Sequence, residues 1–218
     1  MIWQGFPLRV VVLGLLAAAA LAAGCADPAD FPPRTRIGTV PKGFATRPVV
    51  SVADAASYAG EYLRALGVEG VRVERALGFS EGFWVYATEV ESGRGAFSLE
   101  VSSSGQMSAR RFPAPEPELM WNQKYGHRAR PRLSAIQETL APAEAEARLR
   151  EALPPGQGLG IAPPVAYYGY ALFPLCGEAV QVGEGAVSTV DGRVVLALFP
   201  APPEGAWAVP GVREDPCR

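Results

Sequence analysis

Residues 83–101 read Phe83-Trp84-Val85-Tyr86-Ala87-Thr88-Glu89-Val90-Glu91-Ser92-Gly93-Arg94-Gly95-Ala96-Phe97-Ser98-Leu99-Glu100-Val101. The run Phe83 to Thr88, rich in strand formers, is followed by a Gly93-Arg94-Gly95 turn. Beyond it Phe97, Leu99 and Val101 alternate with Ala96, Ser98 and Glu100, the period of a half-buried strand, and Ser104-Gly105 closes it. Upstream, Val71-Arg72-Val73-Glu74 alternates as well, with the turn Ser80-Glu81-Gly82 between. These three strands form an antiparallel meander. Trp84 and Tyr86 lie on one face of their strand and Phe83 and Val85 on the other; one pair belongs to the core, and the other is exposed or covers a second unit.

A helix precedes the meander. Ser51 and Asp54 stand three apart, as in a capping box with Asp in place of Glu. Val52, Ala55, Ala56, Ala59, Leu63 and Leu66 then recur at helical spacing, and Gly67 is placed to stop the helix. One helix laid on such a meander makes a two-layer unit. The order recurs further on. Pro142 suits a first helical turn, Ala145, Leu149, Ala152 and Leu153 form an apolar stripe, and Glu144–Arg148 and Glu146–Arg150 are i,i+4 pairs. Val165–Leu175 then reads as a strand, and 178–182 and 186–190 as a hairpin around Gly183-Glu184-Gly185. Asp191-Gly192 is a further turn before a strand from Val194 to Phe199. The fold class is therefore α+β, with two consecutive αβββ units of one helix each.

The stretches "LGVEGVRVERA", "FWVYATEV" and "GAFSLEVSSSGQM" resemble a PepSY domain, and "YYGYALFP" with "GEAVQVGEGAVSTVDGRV" resembles a more divergent one. The resemblance covers about residues 50–110 and 140–200. It implies an extracytoplasmic binding or inhibitory role, often toward peptidases, and carries over no catalytic residue.

At the N-terminus Arg9 is followed by 14 residues of Val, Leu, Ala and Gly, from Val10 to Ala23. That is short of the roughly 20 residues a spanning helix needs and fits the core of a signal peptide. Leu21-Ala22-Ala23-Gly24-Cys25 resembles a lipobox, with Leu21 one place further from the cysteine than is usual. The resemblance implies a diacylglycerol on Cys25 and an acylated new N-terminus, enough chains for stable anchoring. Ala26, in place of Asp, favours the periplasmic face of an outer membrane.

Residues 1–24 are thus expected to be a signal peptide and 25–48 a Pro-rich tether. Residues 49–112 and 134–200 are the two units, 113–133 a junction, and 201–218 a Pro-rich tail. If Cys25 carries lipid, Cys176 and Cys217 are left as an even pair in an oxidising compartment. They either form a disulfide closing a loop of about 40 residues, remain free thiols, or bond a partner.

The formal net charge is −2, which does not point to nucleic acid. The junction, however, is basic and aromatic. Trp121, Lys124, Tyr125, His127, Arg128, Arg130 and Arg132 either form a recognition surface for an anionic partner or plug the space between the units, with the arginines as a solvated rim. His127 is the single histidine, with neither a nucleophile elbow nor ligand-spaced Cys, Asp or Glu around it. No catalytic residue, metal site or cofactor is expected. The reading is a non-catalytic binding or regulatory lipoprotein of the cell envelope that meets the membrane through its lipid and an envelope protein through its body. The alternative is a structural or assembly lipoprotein of an envelope complex.

Overall fold

The structure is a computed structural model and describes residues 37–110, 121–126 and 136–218. It is mixed α/β with antiparallel sheets. The elements are α1 (Val52–Ala65), β1 (Val71–Phe79), β2 (Gly82–Glu89), β3 (Gly95–Ser102), β4 (Met107–Ala109), α2 (Pro142–Ala152), β5 (Gly160–Ile161), β6 (Val165–Ala166), β7 (Tyr170–Gly177), β8 (Val180–Ser188), β9 (Val194–Leu198) and β10 (Gly205–Ala208). They form two sheets, ordered β10-β1-β2-β3-β4 and β5-β7-β8-β9, with β6 paired to β7.

The first helix starts where its cap residues put it. Ser51 is extended, and its hydroxyl accepts from the Asp54 N–H at 3.1 Å. Asp54 reaches one residue beyond the cap, accepting from the Val50 N–H at 3.1 Å, and pairs with Arg47 at 2.7 Å. At the other end the N–H groups of Gly67 and Val68 bond the carbonyls of Arg64 and Leu63, a Schellman closure. In α2, Glu144 turns back to accept from the Ala141 N–H and is not paired to Arg148 in the way the i,i+4 spacing suggested; an otherwise orphaned first-turn donor is a better partner than an exposed cation.

The two sheets face one another, with a helix on the outside of each. Tyr58, Leu63, Val85, Phe97 and Leu99 bury the inner side of α1 against the first sheet. Leu77, Tyr86, Tyr167, Tyr170, Leu172 and Ala186 fill the space between the sheets. Ala145, Leu149, Phe173, Leu175 and Val187 bury α2 against the second. This layering decides the question left open by the alternation of β2. Val85 faces the helix and Tyr86 faces the other sheet, and both are buried, so both faces of β2 are covered at this level.

Three expectations of the second half are corrected. Val165–Leu175 is not one strand: β6 folds back on β7, pairing Val165 with Leu172. Residues 178–190 are not a hairpin around Gly183-Glu184-Gly185. They lie in the continuous strand β8, whose turn is Glu178-Ala179, two non-glycine residues at positive φ. The two glycines are there for close approach: a Cβ on Gly183 would stand 2.6 Å from the Ala197 carbonyl, and one on Gly185 2.4 Å from Leu149. The tail, finally, is not merely a Pro-rich extension. Its β10 completes the first sheet beside β1, with Ala206 opposite Leu77, and Trp207 joins the α1 core. The end of the segment read as tether is likewise packed, with Phe44 against the rings of Tyr58 and Tyr62 at 5.1 and 5.5 Å.

The tail is secured by a disulfide between Cys176 and Cys217, whose Cα atoms are 5.5 Å apart. No helix among the described residues is long and apolar enough to cross a membrane.

Candidate functional site

Three places concentrate chemistry. The first is the junction. Trp121 and Tyr125 are buried, and Asn122 organises the turn between them: its carbonyl oxygen accepts from the N–H groups of Lys124 and Tyr125, and its amide donates to the Ala96 carbonyl at 2.9 Å. Trp121 packs edge-on against Tyr170 at 6.2 Å, and Tyr125 packs against Phe97 at 4.8 Å. Trp121 and Tyr125 are thus packed as a plug, with Lys124 largely buried beside them, because large rings are worth more buried than exposed. His127, Arg128, Arg130 and Arg132 lie outside the described residues, as does Cys25.

Glu89 is the hub of this plug. Its carboxylate pairs with Lys124 and accepts from the hydroxyls of Tyr125 and Ser92 at 2.5 Å and of Tyr168 at 2.7 Å. Arg94 stacks over Tyr168 at 4.3 Å, pairs with Glu138 and donates to the Tyr167 carbonyl at 2.7 Å. Burial alone would raise the Glu89 pKa, but the Lys124 ammonium and the three hydroxyl donors outweigh it and pull it from the ordinary 4.5 down to about 2. Burial first, and then the same carboxylate, push the Tyr125 phenol far above its usual value.

A pKa depressed on folding gives stability that is complete above the unfolded value and is lost as pH falls through the folded one. Glu89 should therefore contribute fully above pH 5 and lose its contribution between about pH 4.5 and 2. The slope is at most about 1.4 kcal/mol per pH unit for one proton. Asp54 and Asp191 are depressed as well and act in the same direction. Urea titrations of wild type and Glu89→Gln across pH 2–6 isolate the Glu89 part. The wild type should fall more steeply on acidification, and parallel curves would exclude the assignment.

The second place is a buried ion pair between the sheets. Glu184 on β8 is fully buried, as is Arg110, which follows β4 and pairs with it. Tyr86 donates to Glu184 at 2.6 Å, Gln181 donates to it at 3.3 Å, and Arg75 donates to Gln181 at 3.2 Å. The Arg110 guanidinium lies 3.7 Å over the Trp84 ring, and that of Arg75 lies 4.6 Å over Tyr86. Burial keeps the Tyr86 phenol protonated far above its normal range.

The third is a cleft of about 660 Å³, a size usual for ligand pockets, at one end of the sandwich. One wall is the β1–β2 turn with the ends of β2, β3 and β4; the other is the 200–204 loop between β9 and β10. Trp84, Glu100 and Ser108 are cross-strand neighbours on one face of this wall. Phe199 packs edge-on against Phe79 at 5.3 Å and Trp84 at 5.1 Å, which fixes the loop. The lining includes Glu81, Glu100 and Glu204 and, among the described residues, neither Lys nor Arg.

Among the described residues no group of three or more His, Cys, Asp or Glu is placed to hold a metal ion. Sequence reasoning missed Glu89, Arg75, Glu184 and the cleft. One signal for Glu184 was available: it stands in phase with Ala186 and just before the apolar Ala186-Val187, where a charge needs a buried partner. The cleft had none, since its walls come from segments some 100 residues apart.

No family model matches the chain, no curated protein is significantly similar to it in sequence, and no solved structure is significantly similar to it in fold.

Proposed function

We propose that this chain is a lipid-anchored, non-catalytic binding or regulatory module of the cell envelope, on the periplasmic face of the outer membrane, built from two PepSY-like units that inhibit or chaperone a partner. The observation that carries this reading is the Cys176–Cys217 bond. It belongs to an oxidising compartment and leaves Cys25, directly after the apolar run, as the odd cysteine. The PepSY-like part is supported by α1 packed on the β1–β2–β3 meander and α2 packed on β7–β8–β9. The non-catalytic part is supported by how the buried carboxylates are used. Glu89, held near 2 by four donors, is a poor proton acceptor, and Glu184 is committed to Arg110 and Tyr86.

Fractionation tests the anchor. The wild type should sediment with membranes and gain the mass of acyl chains, whereas Cys25→Ala should stay unprocessed and unacylated. Equal mobility and equal membrane association of the two would overturn the reading.

A further inference from the structure

We propose that the cleft at the end of the sandwich binds an extended polypeptide segment in which Lys or Arg flanks apolar side chains. The inference rests on the binding-module reading and names the partner's chemistry. Three observations converge on it. The floor on the Trp84 face is apolar and only half-buried: Phe79 and Trp84 contribute lining surface that water now wets, and covering it is favourable. The rim is acidic. Glu81 and Glu204 are exposed and form no ion pair among the described residues, so a cation seated between them gains attraction without displacing an existing partner. One wall holds an open sheet edge. Among the described residues β4 is the last strand of its sheet and pairs with β3 alone, over Leu99–Val101, which makes it the edge at which an added strand would continue the sheet. A small cation would satisfy the rim and leave floor and edge unused. An apolar ligand would leave the carboxylates facing it. A basic, apolar strand uses all three, its side chains alternating between floor and rim.

The test uses the full chain in detergent and a fluorescent nine-residue peptide of alternating lysine and leucine, read by anisotropy. Its comparators are a copy with glutamate for lysine, and spermine as a competitor. The lysine peptide should bind, and the glutamate copy should bind at least about tenfold more weakly. Spermine should compete only weakly. Ser108 is an exposed residue of the lining, beside Glu100 on β4. Ser108→Trp fills the cleft without touching the core and should abolish binding at an unchanged melting temperature. Glu81→Gln with Glu204→Gln should weaken binding roughly threefold to tenfold, an effect that shrinks with added salt.

The proposal is overturned if neither peptide binds at millimolar concentration, if the two peptides bind alike, or if spermine competes as well as the peptide binds. It is also overturned if Ser108→Trp leaves binding intact, or if that variant instead dissociates a dimer of the chain, which would make a second copy the occupant. None of these outcomes bears on the fractionation of Cys25→Ala, so the two readings fail separately.

Discussion

Glu184→Gln is expected to lower the unfolding free energy by about 3–5 kcal/mol, the usual cost of removing one partner of a buried ion pair. The substitution keeps shape and volume, so no cavity confuses the result. It removes the carboxylate charge that meets the Arg110 guanidinium, which is fully buried over Trp84. Two of its neighbours are already engaged. Tyr86 donates its hydrogen to Glu184 and itself accepts from Arg110 at 3.2 Å, and Gln181 is already shared between Arg75 and Glu184. Arg110→Met should cost a similar amount by stranding the carboxylate. Because each single change leaves the partner's charge buried, Arg110→Met with Glu184→Gln should lose at least about 2 kcal/mol less than the two singles summed. Urea denaturation of the four proteins closes this cycle. Additivity within about 0.5 kcal/mol would mean that the two residues do not act as a pair. The pair joins β8 of one sheet to the residue after β4 of the other, so it also sets how the sheets register face to face.

Cys217→Ser should cost about 4 kcal/mol on the chain-entropy estimate for a bond spanning 41 residues. The loss has a structural address. The closed loop contains β8, β9 and β10, and β10 is held to the first sheet by only four register pairs along β1. Without the bond, β10 and the 200–204 loop are the parts with least to keep them in place. Hydrogen exchange should therefore quicken at Ala206 and Ala208 well before it quickens in α1, and dithiothreitol should reproduce the effect in the wild type. A loss below about 1 kcal/mol, or unchanged exchange in β10, would show that packing of Trp207 alone holds the tail. The same variant bears on the cleft, because Pro200, Pro202 and Glu204 form its second wall.

The helix starting at Ser51, its stop at Gly67, the strands around Trp84 and Phe97, and the turn at Asp191-Gly192 were legible from sequence because each rests on neighbours within a few residues. A capping hydroxyl, an alternating pattern or a two-residue turn is a local event, and its signal survives without knowledge of the fold. The candidate site was legible only in fragments. Trp121, Lys124 and Tyr125 stood out as a cluster, but whether such a cluster meets solvent or another sheet depends on what the rest of the chain brings to it. Glu89, from the end of β2, turned the cluster into a plug.

Gly183-Glu184-Gly185 shows the division most clearly. Locally it has the composition of a turn. In the folded chain it is mid-strand, because Arg110 and Tyr86 arrive from 74 and 98 residues away to meet the carboxylate, while the Ala197 carbonyl and Leu149 need the room a Cβ would take. The tail follows the same logic: nothing near Gly205–Ala208 marks a strand, and it becomes one because β1 offers an unpaired edge and Cys217 is tied to Cys176. The sequence by itself thus determined the helices, most strands, the even cysteine pair and the N-terminal apolar run. Only the tertiary structure decided the face-to-face stacking of the sheets, the fate of the junction, the strand in the tail and the existence of the cleft. Each of these depends on contacts between residues far apart in the chain, whose energy exists only once both partners are in place.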